Sequence, residues 1–406
     1  MIRRDFLKRI LMGILLLITG VRDLAASKPH DKNQGKDTVC TIYRTVNGSP
    51  DENIKKVVEM MGGIEKLIEP DAVVLIKPNV QWWNQGAPNL AILKALVDLI
   101  INRLGRFTGE IVVVENCHRG AMPWKSLHSG WAPSFERNSD VPDVRNMNEL
   151  CARLKGKYGS RFSAVHLVDL ASGAKRVFSP KDGEGYAYCD GTGGVPLIKC
   201  DNGATGGNLR STIMTYPIFR TERGTNVDFK NGVWEKGAYT GQPLRLINLA
   251  ALNHHSAFCG MTIATKNYMG ITDLSGGSDP AAAGRLTGPY CNFHSFAFDG
   301  SAAGPVSGIL GKAIGTYMKS IRIADLNITT AEWIGLTSRT NPPVARTRTI
   351  LASTDPVALD YHAAKYLLYP NSKVPIHDPD NKKSPLRQYL VKCAEESGGV
   401  QDETRV

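Results

Sequence analysis

Runs of consecutive apolar residues alternate along this chain with segments whose apolar residues recur every three or four positions. Residues 51–68 place Ile54, Val57, Val58, Met61, Ile64, Leu67 and Ile68 at helical spacing, interrupted by Gly62-Gly63. The next stretch, Ala72-Val73-Val74-Leu75-Ile76-Lys77-Pro78-Asn79, is apolar up to a polar elbow. That pattern predicts a strand buried on both faces with an open carboxyl end. An amphipathic helix over 90–104 and a second apolar strand over 109–115 follow. Further strands are expected at 39–44, 244–249, 321–325 and 348–353. A helix is expected over 356–368, with Asp355 as N-cap and Pro356 at its first position. The alternation predicts an α/β domain whose mostly parallel central sheet is flanked by helices.

Between about 119 and 245 this pattern dissolves into Gly, Trp, Tyr and charge, with short candidate strands at 164–169 and 212–216. We read a long, partly antiparallel insertion. Its glycine runs, Gly191-Thr192-Gly193-Gly194 and Gly203-Ala204-Thr205-Gly206-Gly207, and also Gly276-Gly277, read as turns. None joins a strand to a helix in the Gly-x-Gly-x-x-Gly pattern of a nucleotide loop.

The N-terminus has a different logic. Arg3-Arg4 followed by Phe6-Leu7-Lys8, the apolar run 10–21 and the small residues Ala25-Ala26-Ser27 make up a twin-arginine (Tat) signal peptide over 1–27. The apolar run is short for a membrane span, which needs about 20 residues. The expected organisation is a signal at 1–27, a flexible leader at 28–38 and one α/β domain over 39–395. The Tat export machinery is thus an expected partner and the location periplasmic or extracytoplasmic, with the signal cleaved or retained as an anchor.

Composition adds charge to this picture. The chain carries a formal +11, and residues 1–27 hold five basic and two acidic side chains, so the remainder keeps about +8. This balance suits a small anionic ligand. No basic stripe interleaved with aromatics is present, which argues against nucleic acid. The basic clusters Lys382-Lys383 and 339–348 read as solvated faces. The 8 cysteines include no Cys-x-x-Cys pair, so no iron–sulfur cluster motif of its own is expected. Cys189 and Cys200 are the closest candidates for a disulfide, with free buried thiols the alternative.

Candidate chemistry collects at the expected strand ends, where open α/β sheets bind ligands. Lys77 and Asn79 close one strand. Glu115-Asn116-Cys117-His118 closes the next, and Glu115 with His118 offers ligands for a divalent metal. Asn253-His254-His255 precedes Lys266-Asn267, which supplies an imidazole for proton transfer and an ammonium for an anion. A helix over 261–268 would bring Thr262 and Lys266 together. Asp355 and Asp360 open the helix after the strand at 348–353.

Four of these stations, in this order, resemble the family known as Domain of Unknown Function 362. They are Val74-Leu75-Ile76-Lys77-Pro78-Asn79; Val112-Val113-Val114-Glu115; Ile247-Asn248-Leu249 leading to His255 and Lys266-Asn267-Tyr268-Met269-Gly270; and Asp355-Pro356-Val357-Ala358-Leu359-Asp360. The resemblance runs from about 70 to 370. It implies an α/β domain that sometimes accompanies iron–sulfur modules, and it carries over Lys77, Asn79, His255, Lys266, Asn267, Asp355 and Asp360 as site residues. Asn253 stands where relatives often have lysine, and the cysteine-rich ferredoxin segment of some relatives is missing. The expected function is an exported enzyme holding a small anionic substrate or cofactor. Lys77, Lys266 and His255 are its expected catalytic residues, and Asn79, Asn267, Asp355 and Asp360 its expected substrate contacts. The alternative is a non-enzymatic ligand-binding protein, or an accessory to an envelope redox system with a redox partner protein.

Overall fold

The computed structural model describes residues 39–116, 130–167, 176–201, 211–256, 258–274, 290, 291, 293 and 306–401, all within the unit Val39–Val406. The central sheet draws on strands β1 (Tyr43–Val46), β2 (Val73–Pro78), β3 (Glu110–Glu115), β4 (Phe162–His166), β5 (Leu244–His254), β6 (Met261–Thr262), β7 (Leu326–Gly335) and β8 (Val344–Ser353). Their order is β1-β8-β7-β5-β2-β3-β4, with β6 folded back on β5. The block β7-β5-β2-β3-β4 is parallel, whereas β8 and β1 add antiparallel edges. The mixed α/β class read from the sequence is therefore the observed one.

Side-chain alternation sorts each parallel strand between two cores. Val74, Ile76, Ile111 and Val113 join one core, and Val73, Leu75, Val112 and Val114 the other. The first core is covered by helices α1 (Pro50–Met60), α2 (Leu90–Ile101) and α3 (Met147–Tyr158). Each presents a buried stripe, such as Ile92, Leu93, Leu96, Val97 and Ile100 in α2. Capping fixes where they begin: the Ser49 and Glu52 pair forms a capping box for α1, and Asn89 and Asn146 cap α2 and α3. The second core is closed by helices α4 (Val306–Ser320), α5 (Pro356–Ala363) and α6 (Pro385–Ser397), together with a six-stranded sheet built from segments between Arg176 and Tyr239.

Several boundaries differ from the sequence reading, each for a local reason. The strand expected at 164–169 begins at Phe162 and extends the parallel sheet beside β3. The described antiparallel strands of the insertion follow it. Residues 321–325 are not a strand. They leave α4, and Asp325 accepts a hydrogen bond from the Leu246 N–H at 2.8 Å before β7 begins. Gly62 and Gly63, both at positive φ, end the first helical run, and a short helix, Ile64–Leu67, resumes beyond them. The helix from Pro356 is α-helical to Ala363 and widens to a π turn over Ala364–Leu368. Cys189 and Cys200 are both buried and not joined to each other by a disulfide, and Cys40, Cys151, Cys259 and Cys393 are likewise buried and unbridged. Among the described residues no helix is long and apolar enough to cross a membrane. The signal and leader lie outside the described residues.

Helix α4 was hidden by its glycines, which weaken a helical pattern. They have a packing use, because α4 crosses α6 so closely that a β-carbon on Gly311 would overlap the Tyr389 carbonyl oxygen. One on Gly315 would lie 2.6 Å from that of Cys393. Gly311→Ala should therefore destabilise the protein by about 1–3 kcal/mol through overpacking, despite alanine's better helix propensity. A denaturant midpoint equal to or above wild type would contradict this crossing.

Candidate functional site

A transverse row of polar side chains interrupts the apolar sheet near the carboxyl ends of its parallel strands. Lys77 on β2 lies opposite Asn248 on β5, Asn248 opposite Asn327 on β7, and Asn327 opposite Ser353 on β8. All four are buried, Lys77 to 1 % exposure. Asn267 bridges the first step: its Nδ2 donates to the Lys77 carbonyl at 2.9 Å and to Asn248 Oδ1 at 2.6 Å. Asn248 Nδ2 donates in turn to Asn327 Oδ1 at 3.0 Å and to the Ala264 carbonyl at 2.8 Å.

Lys77 Nζ donates to Glu115 Oε2, to Asn267 Oδ1 and, at 2.8 Å, to the Pro78 carbonyl. An ammonium has three N–H donors, so this lysine is saturated. Burial pushes Lys77 down and Glu115 up, the latter to about 8, while each partner's charge opposes the shift. Three acceptors around one nitrogen favour the charged lysine, and hence the ion pair. Gly270 makes room for it: a β-carbon there would lie 2.6 Å from Lys77 Nζ and closer still to Glu115 Oε1.

Lys266 is in a different state. It belongs to the single turn Ala264–Asn267 that follows β6, so the helix expected over 261–268 is a short strand, this turn and a 3-10 turn, Tyr268–Ile271. Asp360, from the first half of α5, holds that turn in place. Its carboxyl group accepts from the Ala264 N–H at 3.1 Å, the Thr265 N–H at 3.0 Å and the Thr265 hydroxyl. Lys266 remains partly accessible and makes no hydrogen bond or ion pair with a described residue. Burial lowers its pKa, and the nearby Arg339 and Lys77 charges lower it further, against Cys259 and Glu115. Burial also pushes the Cys259 thiol up to about 11, so at neutral pH Cys259 supplies no counter-charge. Among the described residues, Lys77 and Arg339 thus repel Lys266, and Glu115 is the carboxylate that acts on it.

Lys266, Glu115, Asn116, Asn267, Asn79, Gln81 and Thr262 line one small cavity at these strand ends. The sequence reading anticipated Lys266, Glu115, Asn79 and Asn267 there; Asn116 and Gln81 went unselected. Asn79 also staples the surrounding loops, accepting from the Ala251 N–H at 2.7 Å and donating to the Gly86 carbonyl at 3.2 Å.

Other expected site residues lie outside that lining. His255 Nε2 meets Arg339 Nη1 at 3.0 Å, and the guanidinium stacks over Trp82 at 4.7 Å. Arg339 thus belongs to the interior side of a segment read as solvated, where Arg346 also pairs with buried Glu332 at 2.8 Å. His254 Nδ1 contacts His377 Nε2 at 3.0 Å, and burial holds His377 down to about 4. Asp355 accepts from the Val357, Ala358 and Val400 N–H groups and so caps α5 and ties down the C-terminal segment. His118, expected as a metal ligand with Glu115, lies outside the described residues. Among the described residues no group of three His, Cys, Asp or Glu side chains is placed to hold a metal ion.

Asp360 generates a pH prediction. Burial raises its carboxyl to about 8, against the hydrogen bonds it accepts. The folded protein therefore holds this proton below about pH 8, whereas the unfolded chain releases it near pH 4. Stability from this group is complete below the unfolded value and is lost as pH rises through 8. Asp360→Asn should cost about 1–3 kcal/mol by facing an amide N–H against the turn, with a penalty that shrinks from pH 5 to pH 8. Chemical denaturation at both pH values measures the gap; a gap that widens would refute the assignment.

No curated protein and no solved structure matches this chain. Residues 243–365 match the model of the family described as Domain of unknown function (DUF362). That stretch holds Asn248, His255, Lys266, Asn267, Arg339, Asp355 and Asp360, whereas Lys77, Asn79 and Glu115 precede it. The segment that supplies the site's turn and its unpaired ammonium is therefore similar to that domain family.

Proposed function

We propose that this protein is an exported enzyme that binds a small anion, a carboxylate or phosphate, at the carboxyl ends of β2, β3 and β5. The supporting observation is Lys266 in the cavity lining beside Glu115, exposed to the Lys77 and Arg339 charges and, unlike buried Lys77, without a hydrogen-bonded partner among the described residues. A desolvated ammonium interacts far more strongly with an anion than one in water does. Lys266 is the anion's contact and, with its lowered pKa, the group able to give or take a proton at the bound ligand. Lys77 acts through Glu115 and Asn267, which it positions, because its own donors are committed. Asn79 and Asn267 shape the cavity. Asp360 sets the turn that carries Lys266, and His255 steadies Arg339.

Two outcomes test this reading. Lys266→Met removes an unpaired, desolvated charge and so should leave the melting temperature unchanged or raised, while abolishing binding of small anions measured by titration calorimetry. Binding at wild-type strength would place the site elsewhere. For export, replacing Arg3 and Arg4 by lysine should retain the folded chain in the cytoplasm of a cell that exports the parent. Unchanged appearance outside the cytoplasm, followed by immunoblotting of fractions, would exclude the twin-arginine route.

A further inference from the structure

Asn116 narrows the class of anion. It follows β3 directly, is 1 % exposed, and lines the cavity beside Lys266 and Glu115. Its Nδ2 donates to the Thr272 carbonyl at 2.8 Å and to the Tyr186 hydroxyl at 3.1 Å. A backbone carbonyl has no hydrogen to give, so the amide cannot be turned around. The oxygen is therefore the remaining atom, and Oδ1 is buried without a hydrogen-bond partner among the described residues. Buried acceptors are normally satisfied, and an exception calls for an explanation. Here one wall of the cavity supplies a cation and another supplies an acceptor that lacks a donor.

We propose that the anion bound by Lys266 also carries its own O–H donor, which bonds Asn116 Oδ1. A hydroxycarboxylate and a protonated phosphate both have this chemistry. A simple carboxylate or a sulfate does not: it would set lone pairs against Oδ1. Sites built around a ligand hydroxyl discriminate strongly against the analogue that lacks it, because a buried polar group is then left unpaired. This inference rests on the anion site proposed above.

The test uses the full chain and two matched ligand pairs at pH 7 in titration calorimetry: glycolate against acetate, and phosphate against sulfate. In at least one pair the donor-bearing member should bind about tenfold more tightly or better. Preference for glycolate identifies a hydroxycarboxylate site, and preference for phosphate a phosphoryl site. Because the comparison is made within the wild-type protein, it does not depend on an Asn116 variant folding. Equal affinities within both pairs, with binding lost in Lys266→Met, would overturn the hydroxyl inference and leave the anion site standing. No binding by any of the four, or binding unaffected by Lys266→Met, would overturn both.

Discussion

Everything at the strand ends depends on keeping one lysine charged inside the protein. Lys77 occupies a strand whose neighbouring residues, Ile76 and Pro78, are equally buried. Its ammonium is tolerable there only because three segments bring acceptors to it: the end of its own strand, Glu115 of β3, and Asn267 at the end of the turn. Removing one member of such a pair typically costs 3–5 kcal/mol, because the other charge stays buried. The ion pair therefore fixes where the turn sits relative to β2 and β3. Gly270 is part of the same constraint, since any side chain there would enter the space the pair occupies.

The polar row extends that constraint across the sheet. Asn248, Asn327 and Ser353 are each matched in register to the strand beside them, and hydrogen bonds link the two asparagines to each other and Asn327 to the Ser353 carbonyl. A one-residue slip of β5 or β7 would turn these amides toward the apolar core formed with α1 and α2. Apolar alternation alone would tolerate other pairings among strands so rich in Val, Ile and Leu. Specific pairing of buried polar groups removes that freedom.

How much of this could be read from the chain depended on whether a signal was local. Buried strands such as β2 and β3 announce themselves, because both faces demand apolar residues. The N-cap role of Asp355 was legible for the same reason, since a cap is defined within three residues. Lys77, Asn79, Glu115, Lys266 and Asn267 were legible as strand-end polar residues, but their different states were not. Saturation of Lys77 and exposure of Lys266 to a cavity follow from contacts separated by 190 positions. Arg339 looked like one basic residue among several, and nothing local told that Trp82 and His255 would receive it. Asn116 was passed over because its neighbours in sequence, a carboxylate and a thiol, are more reactive types. Its importance lies in Tyr186 and Thr272, which use up its N–H donors from far away. Helix α4 was lost to its own glycines, whose value appears only when α6 is packed against it.

The two lysines show how one residue type is given two tasks by its surroundings. Both are desolvated, and both are pushed toward the neutral amine. At Lys77 the opposing forces are local and complete, with a carboxylate and two carbonyl-type acceptors in direct contact. Glu115 does not serve both here: its Oε2 is engaged by Lys77, and it acts on Lys266 only through space. Lys266 is then left with the repulsion of Lys77 and Arg339 and with no acceptor of its own among the described residues. An anion placed beside it would reverse that balance, favouring the ammonium by direct attraction. Anion binding and proton uptake at Lys266 are consequently one linked equilibrium, and the saturated pair beneath it is what prevents Lys77 from competing for the same ligand.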